Sequence, residues 1–400
     1  LLHTLDWALS QPELVEPDLL AAYITEMIRL MENAGAGLDF RIAIDKALNF
    51  YEVTGQAVID LYLAKVEYLR LTDTESKQKE ETLQIASASA RSAQDKLKVL
   101  LKLIQYYIDT SQYELAIEVS ETCQSLIAEN GELGAYLPKV YDLAGITYYY
   151  HFNHSTAREY LLQAVELGQS LHDTHTTGEA LHYLGRIAMD QGNAQQAMEY
   201  FISGWQRQPE NLADSAWYHL RMGNLLINAG LIQQARDHYQ NTQDLFMRIG
   251  YDGSALVQVE LGWGDTSRAD QDYAVAKRHY QQALRFAKDT GFARGELLSL
   301  VKLFWLELTN LYRLDKAIII FLQAMVNTEV RRNLGFRLVI SYLVQVLSVP
   351  IRWLTGTPFS VNGVATSFSV PFNTCICPMH SPNEALSSNT KEKKLEEKVW

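Results

Sequence analysis

Six alanines recur through the middle of this chain at steps of 41, 40, 38, 41 and 41 residues: Ala116, Ala157, Ala197, Ala235, Ala276 and Ala317. Twelve residues before them stand Ile104, Gly145, Gly185, Gly223, Gly264 and Trp305. Four residues after them come Ser120, Leu161, Phe201, Tyr239, Tyr280 and Phe321, and seven after come Cys123, Ala164, Gly204, Thr242, Ala283 and Ala324. Four glycines in one slot, from a chain with only 22 among 400 residues, mark a register that composition does not produce. Spacings of three, four and seven place such groups on one helical face. A small residue midway along a first helix and another near the start of a second let the two approach closely. The larger side chain one turn later fills the space between pairs. A single pair cannot bury its apolar face, whereas a stack of pairs can. The register therefore predicts an all-α solenoid of stacked antiparallel helix pairs.

This pattern resembles the tetratricopeptide repeat, with its Trp-x2-Leu-Gly-x2-Tyr, Ala-x3-Phe-x2-Ala and Pro positions. Leu181, Leu184, Gly185, Ala188, Ala197, Phe201, Gly204 and Pro209 carry the best match, and Tyr141, Gly145, Tyr148, Ala157, Leu161 and Ala164 the next. The resemblance covers residues 97–330 and implies six helix pairs in a right-handed superhelix. The period is near 40 rather than the usual 34, and the extra residues are expected at the joints 171–179, 249–254 and 290–296. Repeats of this length are similar to those attached to bacterial signal-transduction ATPases and to peptide-sensing regulators. Ile104 and Trp305 replace the glycine in the outer units, as expected of terminal repeats.

Residues 1–96 read as degenerate repeats, with helices over 17–34, 37–54, 56–72 and 77–95 and a charged loop at 72–81. Residues 338–351 hold no charge between Arg337 and Arg352. A membrane span needs about 20 apolar residues, so we expect a capping helix over 331–354, with a membrane anchor as the weaker reading. Residues 355–400 turn to Ser, Thr, Asn, Pro and Gly and read as a disordered tail. The alternating charges of 391–398 read as a solvated end. The chain starts at Leu1 without Met, from which an upstream domain is an expectation.

The net charge of −12 and the lack of a basic face argue against a nucleic-acid partner. Three cysteines, Cys123, Cys375 and Cys377, make no disulfide framework, and no signal peptide is evident, so a cytoplasmic location is expected. Cys375, Cys377 and His380 lack the fourth ligand that a structural zinc site needs. His172, His175, Glu179 and His182 do not follow the His-Glu-x-x-His order, and Thr176 with Glu179 reads better as a capping box opening the next first helix. Nucleophile and phosphate-loop motifs are absent. The expectation is a protein without catalysis, cofactor or metal.

The first helices of such an array line its inner face. Positions beside the glycine slot at spacings of 3, 4 and 3 give Lys139, Asp142, Ile146 and Tyr149; then Glu179, His182, Arg186 and Met189. The following helices give Trp217, Leu220, Asn224 and Ile227, and then Gln258, Leu261, Asp265 and Arg268. From these we single out Asp142, Tyr149, His182, Arg186, Met189, Trp217, Leu220, Asn224 and Arg268 as the groove that meets a protein or peptide, since Trp, Tyr and Arg most often anchor binding. Tetratricopeptide domains that grip C-terminal carboxylates use a Lys/Asn/Arg clamp. Here Asn224 fills an Asn place, but Leu220 and Gly262 stand where Lys and a second Asn belong, so a peptide in apolar pockets fits better. Two roles follow: a scaffold or adaptor, or the ligand-sensing segment of a larger signalling ATPase or transcriptional regulator.

Overall fold

A computed structural model describes residues 59–327 except 72–75, 208–209, 249–253 and 291, together with Ser10, Leu19 and Leu48. Residues Leu1–Leu338 form one compact unit. The second unit, Val339–Trp400, lies outside the described residues, as do the expected helices over 17–54, the expected cap over 331–354 and the expected tail.

The described residues form seven consecutive helix pairs and no strand. The pairs are α1 (Ile59–Leu71) with α2 (Ser76–Ser89), α3 (Ala93–Asp109) with α4 (Tyr113–Glu129), and α5 (Leu137–Tyr150) with α6 (His154–Ser170). They continue with α7 (Thr174–Asp190) and α8 (Ala194–Trp205), α9 (Leu212–Asn228) and α10 (Ile232–Arg248), α11 (Ser254–Ala269) and α12 (Tyr273–Asp289), and α13 (Ala293–Trp305) and α14 (Leu314–Met325). Each helix packs antiparallel on its partner and then on the next pair, so the chain is an all-α solenoid.

The alanine register is the seam of this stack. All six repeat alanines are fully buried. A Cβ on Gly145 would lie 2.6 Å from the Leu161 side chain, on Gly185 2.5 Å from the Phe201 ring, and on Gly264 2.3 Å from the Tyr280 ring. The large residue of the second helix thus lies directly on the glycine of the first. Tyr239 goes further: its ring edge enters between Gly223 of its own pair and Gly262 of the next, where added Cβ atoms would sit 2.7 and 2.5 Å away. In the last pair Trp305 replaces the glycine, and the chain widens immediately afterwards into a π-helical turn, Leu306–Asn310.

The turn inside each pair repeats as well. Ser111, Phe152, Gly192, Gly230, Gln271 and Tyr312, each five residues before a repeat alanine, all have φ between 54° and 79°. This left-handed residue reverses the chain, and the next residue caps the second helix. Asn153, Asn193 and Asp272 each accept a hydrogen bond there from the backbone N–H three residues on.

Two local expectations are corrected. At the expected joint 171–179 the extra residues of the long period do not lie in the connection, which runs only from Ser170 to Thr174. They lengthen the helices, half of which run 17 residues, for example α6, α7 and α9. The first helix of the fourth pair does not start with a Thr176–Glu179 capping box either. Its N-cap is Asp173, which accepts from the Thr176 N–H at 3.0 Å. Gly178 is then inside α7, where its missing side chain lets the Gly204 carbonyl of α8 come within 3.2 Å of the Cβ position.

Candidate functional site

First helices touch first helices along the array: α1 with α3, α3 with α5, α5 with α7, α9 with α11, and α11 with α13. The array curves around them, because Arg294 at the start of α13 reaches Tyr150 at the end of α5, four pairs earlier, with its guanidinium carbon 4.4 Å from the ring centre. Side chains of the first helices therefore converge on the inner face.

They do so as a ladder of polar contacts between successive pairs. Lys98 reaches Asp60 at 2.8 Å and Lys102 reaches Glu67 at 2.6 Å. Lys139 binds Asp142 at 2.9 Å on its own helix and Glu179 on the next first helix. Arg221 donates to His182 Nε2 at 2.9 Å behind it and to Gln258 at 3.0 Å ahead. Lys302 reaches back to both carboxylate oxygens of Asp265, at 2.9 and 2.8 Å. Long-range pairs of this kind fix how one repeat is rotated on the next.

At the centre is a cluster of tyrosines and guanidiniums. Arg186 lies over three rings, 4.5 Å from the Tyr149 centroid, 4.8 Å from Tyr183 and 5.2 Å from Tyr150. It also donates to the Tyr150 hydroxyl at 3.0 Å, and that hydroxyl lies 3.2 Å from the Tyr183 hydroxyl. Tyr149 donates to Asp190 at 2.9 Å. Such stacking stabilises a cation more as water is removed. Burial alone would raise the Tyr150 phenol, but Arg186 and Arg294 overcome it and bring the group down to about 8. Burial lowers Arg221 to about 10, and the charge of Arg186 adds to the effect. His182 is held well below its ordinary value by burial and by both arginines, so it is neutral and accepts from Arg221.

The residues singled out in the sequence divide into three groups. His182, Arg186, Met189, Trp217, Asn224 and Arg268 are half-buried on the first helices. Trp217 packs edge-on against Phe246 and carries the Arg221 guanidinium 5.5 Å above it, while Asn224 accepts the Tyr239 hydroxyl at 2.8 Å. Tyr149 is buried at 7% exposure beneath Arg186. Leu220 and Asp142 have no exposed surface. Leu220 belongs to the core between the fifth pair and its neighbours, so it supports the array and offers a partner nothing. Asp142 is committed to Lys139, and burial holds its carboxyl well above the usual range despite that cation. Glu179 is pulled the other way by Lys139, down to about 2.

The glycine-slot spacing missed Tyr150, Tyr183, Asp190, Arg221 and Arg294. Tyr183 and Arg221 each stand two residues before the slot, a position the spacing rule skipped. The run Tyr148, Tyr149, Tyr150 was the available signal for the aromatic cluster. Among the described residues no group of three or more His, Cys, Asp and Glu side chains could hold a metal ion, and His182 is occupied by Arg221. No helix of the described residues is long and apolar enough to cross a membrane, and residues 338–351 lie outside them.

No known family model matches the sequence, and no curated protein matches it. Solved structures do match the fold. A Rap protein complexed with competence and sporulation factor superposes with a TM-score of 0.58 at 12% identity, over 81% of this chain and 95% of that one. Aspartyl phosphate phosphatase F from Bacillus subtilis gives 0.52 at 14% identity, over 70% and 74% of the two chains. The APC/C hetero-tetramer Cut9–Hcn1 gives 0.52 at 16% identity over 76% of this chain, which spans 55% of that one, just over half. These neighbours are tetratricopeptide-type solenoids, and the fold of this chain is tetratricopeptide-like.

Proposed function

We propose that this tetratricopeptide-like solenoid is an interaction module whose inner face, built from α5, α7, α9 and α11, holds a protein or peptide partner. What supports this reading is that Arg186, Met189, Trp217 and Arg268 stand half-buried on the successive first helices α7, α9 and α11. Aromatic and arginine side chains on a rigid frame are the types that most often carry binding energy. Holding a partner is also what the neighbours are recorded doing: one is a Rap protein in complex with a factor, another is Cut9 assembled with Hcn1.

The test is co-precipitation from cells that contain the protein, comparing the native chain with the double substitution Arg186→Ala, Trp217→Ala. Both chains must show the same helical circular dichroism. Loss of the co-purifying partner supports the groove. A partner retained at native yield by the correctly folded double variant removes it.

A further inference from the structure

The inner-face cluster holds more hydrogen-bond donors than acceptors. Arg186 carries five N–H groups, and its hydrogen bond goes to the Tyr150 hydroxyl. Among the described residues no carboxylate lies within 4.0 Å of Arg186 or Arg221, whose partners are the hydroxyl of Tyr150, the ring nitrogen of His182 and the amide oxygen of Gln258. One of the Tyr150 and Tyr183 hydroxyls donates to the other at 3.2 Å, so in either arrangement the second phenolic proton is left to point at a further acceptor.

The charges agree with this count. Arg186, Arg221 and Arg294 act on the same group of rings. The carboxylate in their midst is Asp190, which burial pushes above the usual range and which already accepts from Tyr149. Glu179, near His182, is committed to Lys139. Among the described residues, Arg186 and Arg221 therefore stand beside Asp190 without a carboxylate paired to either, inside a chain whose net charge is −12. Two guanidiniums on neutral partners, Arg186 half-buried and Arg221 buried, leave an uncompensated positive potential. An anion with several acceptor lone pairs relieves it, and a carboxylate matches the guanidinium fork.

We propose that Arg186 and Arg221, with the Tyr150 and Tyr183 hydroxyls and with Arg294 arriving from α13, form a carboxylate site that takes an acidic side chain of the bound peptide. The site rests on the reading of the inner face as a peptide groove, and it adds the chemistry of the ligand. It differs in residues and placement from a Lys/Asn/Arg clamp, because Asn224 is engaged by Tyr239. Because the site draws on α5, α7, α9 and α13, an acidic residue placed there ties distant parts of the array together.

The experiment selects random decapeptides displayed on phage against the full 400-residue chain, then titrates the synthesised peptides in solution. Selected peptides should share an Asp or Glu at one position. Changing that residue to Asn or Gln should weaken binding to the native chain by about 10- to 100-fold, the range of a charge-assisted hydrogen-bonded contact. The same peptide change should cost much less on the Arg186→Gln chain, since the two substitutions remove one interaction. Arg186→Lys should recover part of the affinity, and Arg158→Gln, at an exposed position on α6, should leave it unchanged. Circular dichroism of each variant confirms folding, and Arg186 is half-buried, so its replacement is tolerated better than that of Arg221. Peptides that Trp217→Ala weakens but that carry no acidic residue would overturn the carboxylate site and leave the groove standing. An equal cost of the peptide's Glu→Gln change on both chains would do the same. If no selected peptide is weakened by Trp217→Ala, the groove itself falls, and the site with it.

Discussion

Tyr239 is the sharpest test of how the repeats are held together. Its ring is fully buried, its hydroxyl donates to Asn224 at 2.8 Å, and its edge is enclosed by Gly223 and Gly262. An alanine at Gly223 would bring a methyl carbon to 2.7 Å from the ring, where ordinary carbon contacts are about 3.5–4.0 Å. The ring would have to yield by about 1 Å. It cannot move toward α11, because Gly262 already approaches the same edge. Overpacking of this kind costs about 1–3 kcal/mol. The upper end applies to a rigid ring pinned at its hydroxyl. Replacing glycine by alanine in a helix returns about 1 kcal/mol, so Gly223→Ala should destabilise by about 2 kcal/mol net. In a Tyr239→Leu background the clash is gone and the helix gain remains, so the same substitution should become neutral or stabilising by up to about 1 kcal/mol. Gly134→Ala, which meets nothing within 4 Å, should change stability by less than about 0.5 kcal/mol. Urea unfolding followed by far-ultraviolet circular dichroism measures the native chain and the four variants. The clamp is refuted if Gly223→Ala is as stable as the native chain, or if Tyr239→Leu leaves its cost unchanged.

Three further outcomes follow from local geometry. Gln271 holds φ 65° at an exposed turn, so Gln271→Gly should raise the unfolding free energy by up to about 1 kcal/mol, while Gly230→Ala at φ 79° should lower it by a similar amount; a reversed order of midpoints in urea would contradict the turn. His238 faces His219 across 2.9 Å, and burial, with the His219 charge, lowers it to about 4. The unfolded chain therefore takes up protons first: this stability is complete above about pH 6.5 and is lost as pH falls toward 4, so the thermal midpoint should drop across that window and drop less in His238→Gln. Cys123 is fully buried and burial raises its thiol to about 12, so it should resist alkylation at pH 8 until urea opens the second pair, as read by mass spectrometry of its peptide.

Some of this was written in the letters and some was not. The alanines at 116, 157, 197, 235, 276 and 317 and the glycines at 145, 185, 223 and 264 name the fold class, because contacts within a pair depend only on the helix period and a short turn. The large side chain sixteen residues after each glycine lands on that glycine for the same reason, as Phe201 does on Gly185 and Tyr280 on Gly264. The left-handed turn was legible at Gly192 and Gly230 and hidden at Phe152 and Gln271, whose side chains announce no such backbone. Spacing beside the slot picked Arg186 and Trp217, which are half-buried, but also Leu220, which is buried, since a helical wheel gives the direction of a side chain and not what packs against it.

What the sequence determined by itself is therefore the repeat: helix, turn, helix, and the small residues along which the two pack. The period of an α-helix fixes these within about forty residues. What only the tertiary structure decided is the inner face. Arg221 meets His182 and Gln258, and Arg294 meets Tyr150, because small rotations between successive pairs add up along the array. That sum depends on every interface between the pairs, so no single stretch of sequence carries it.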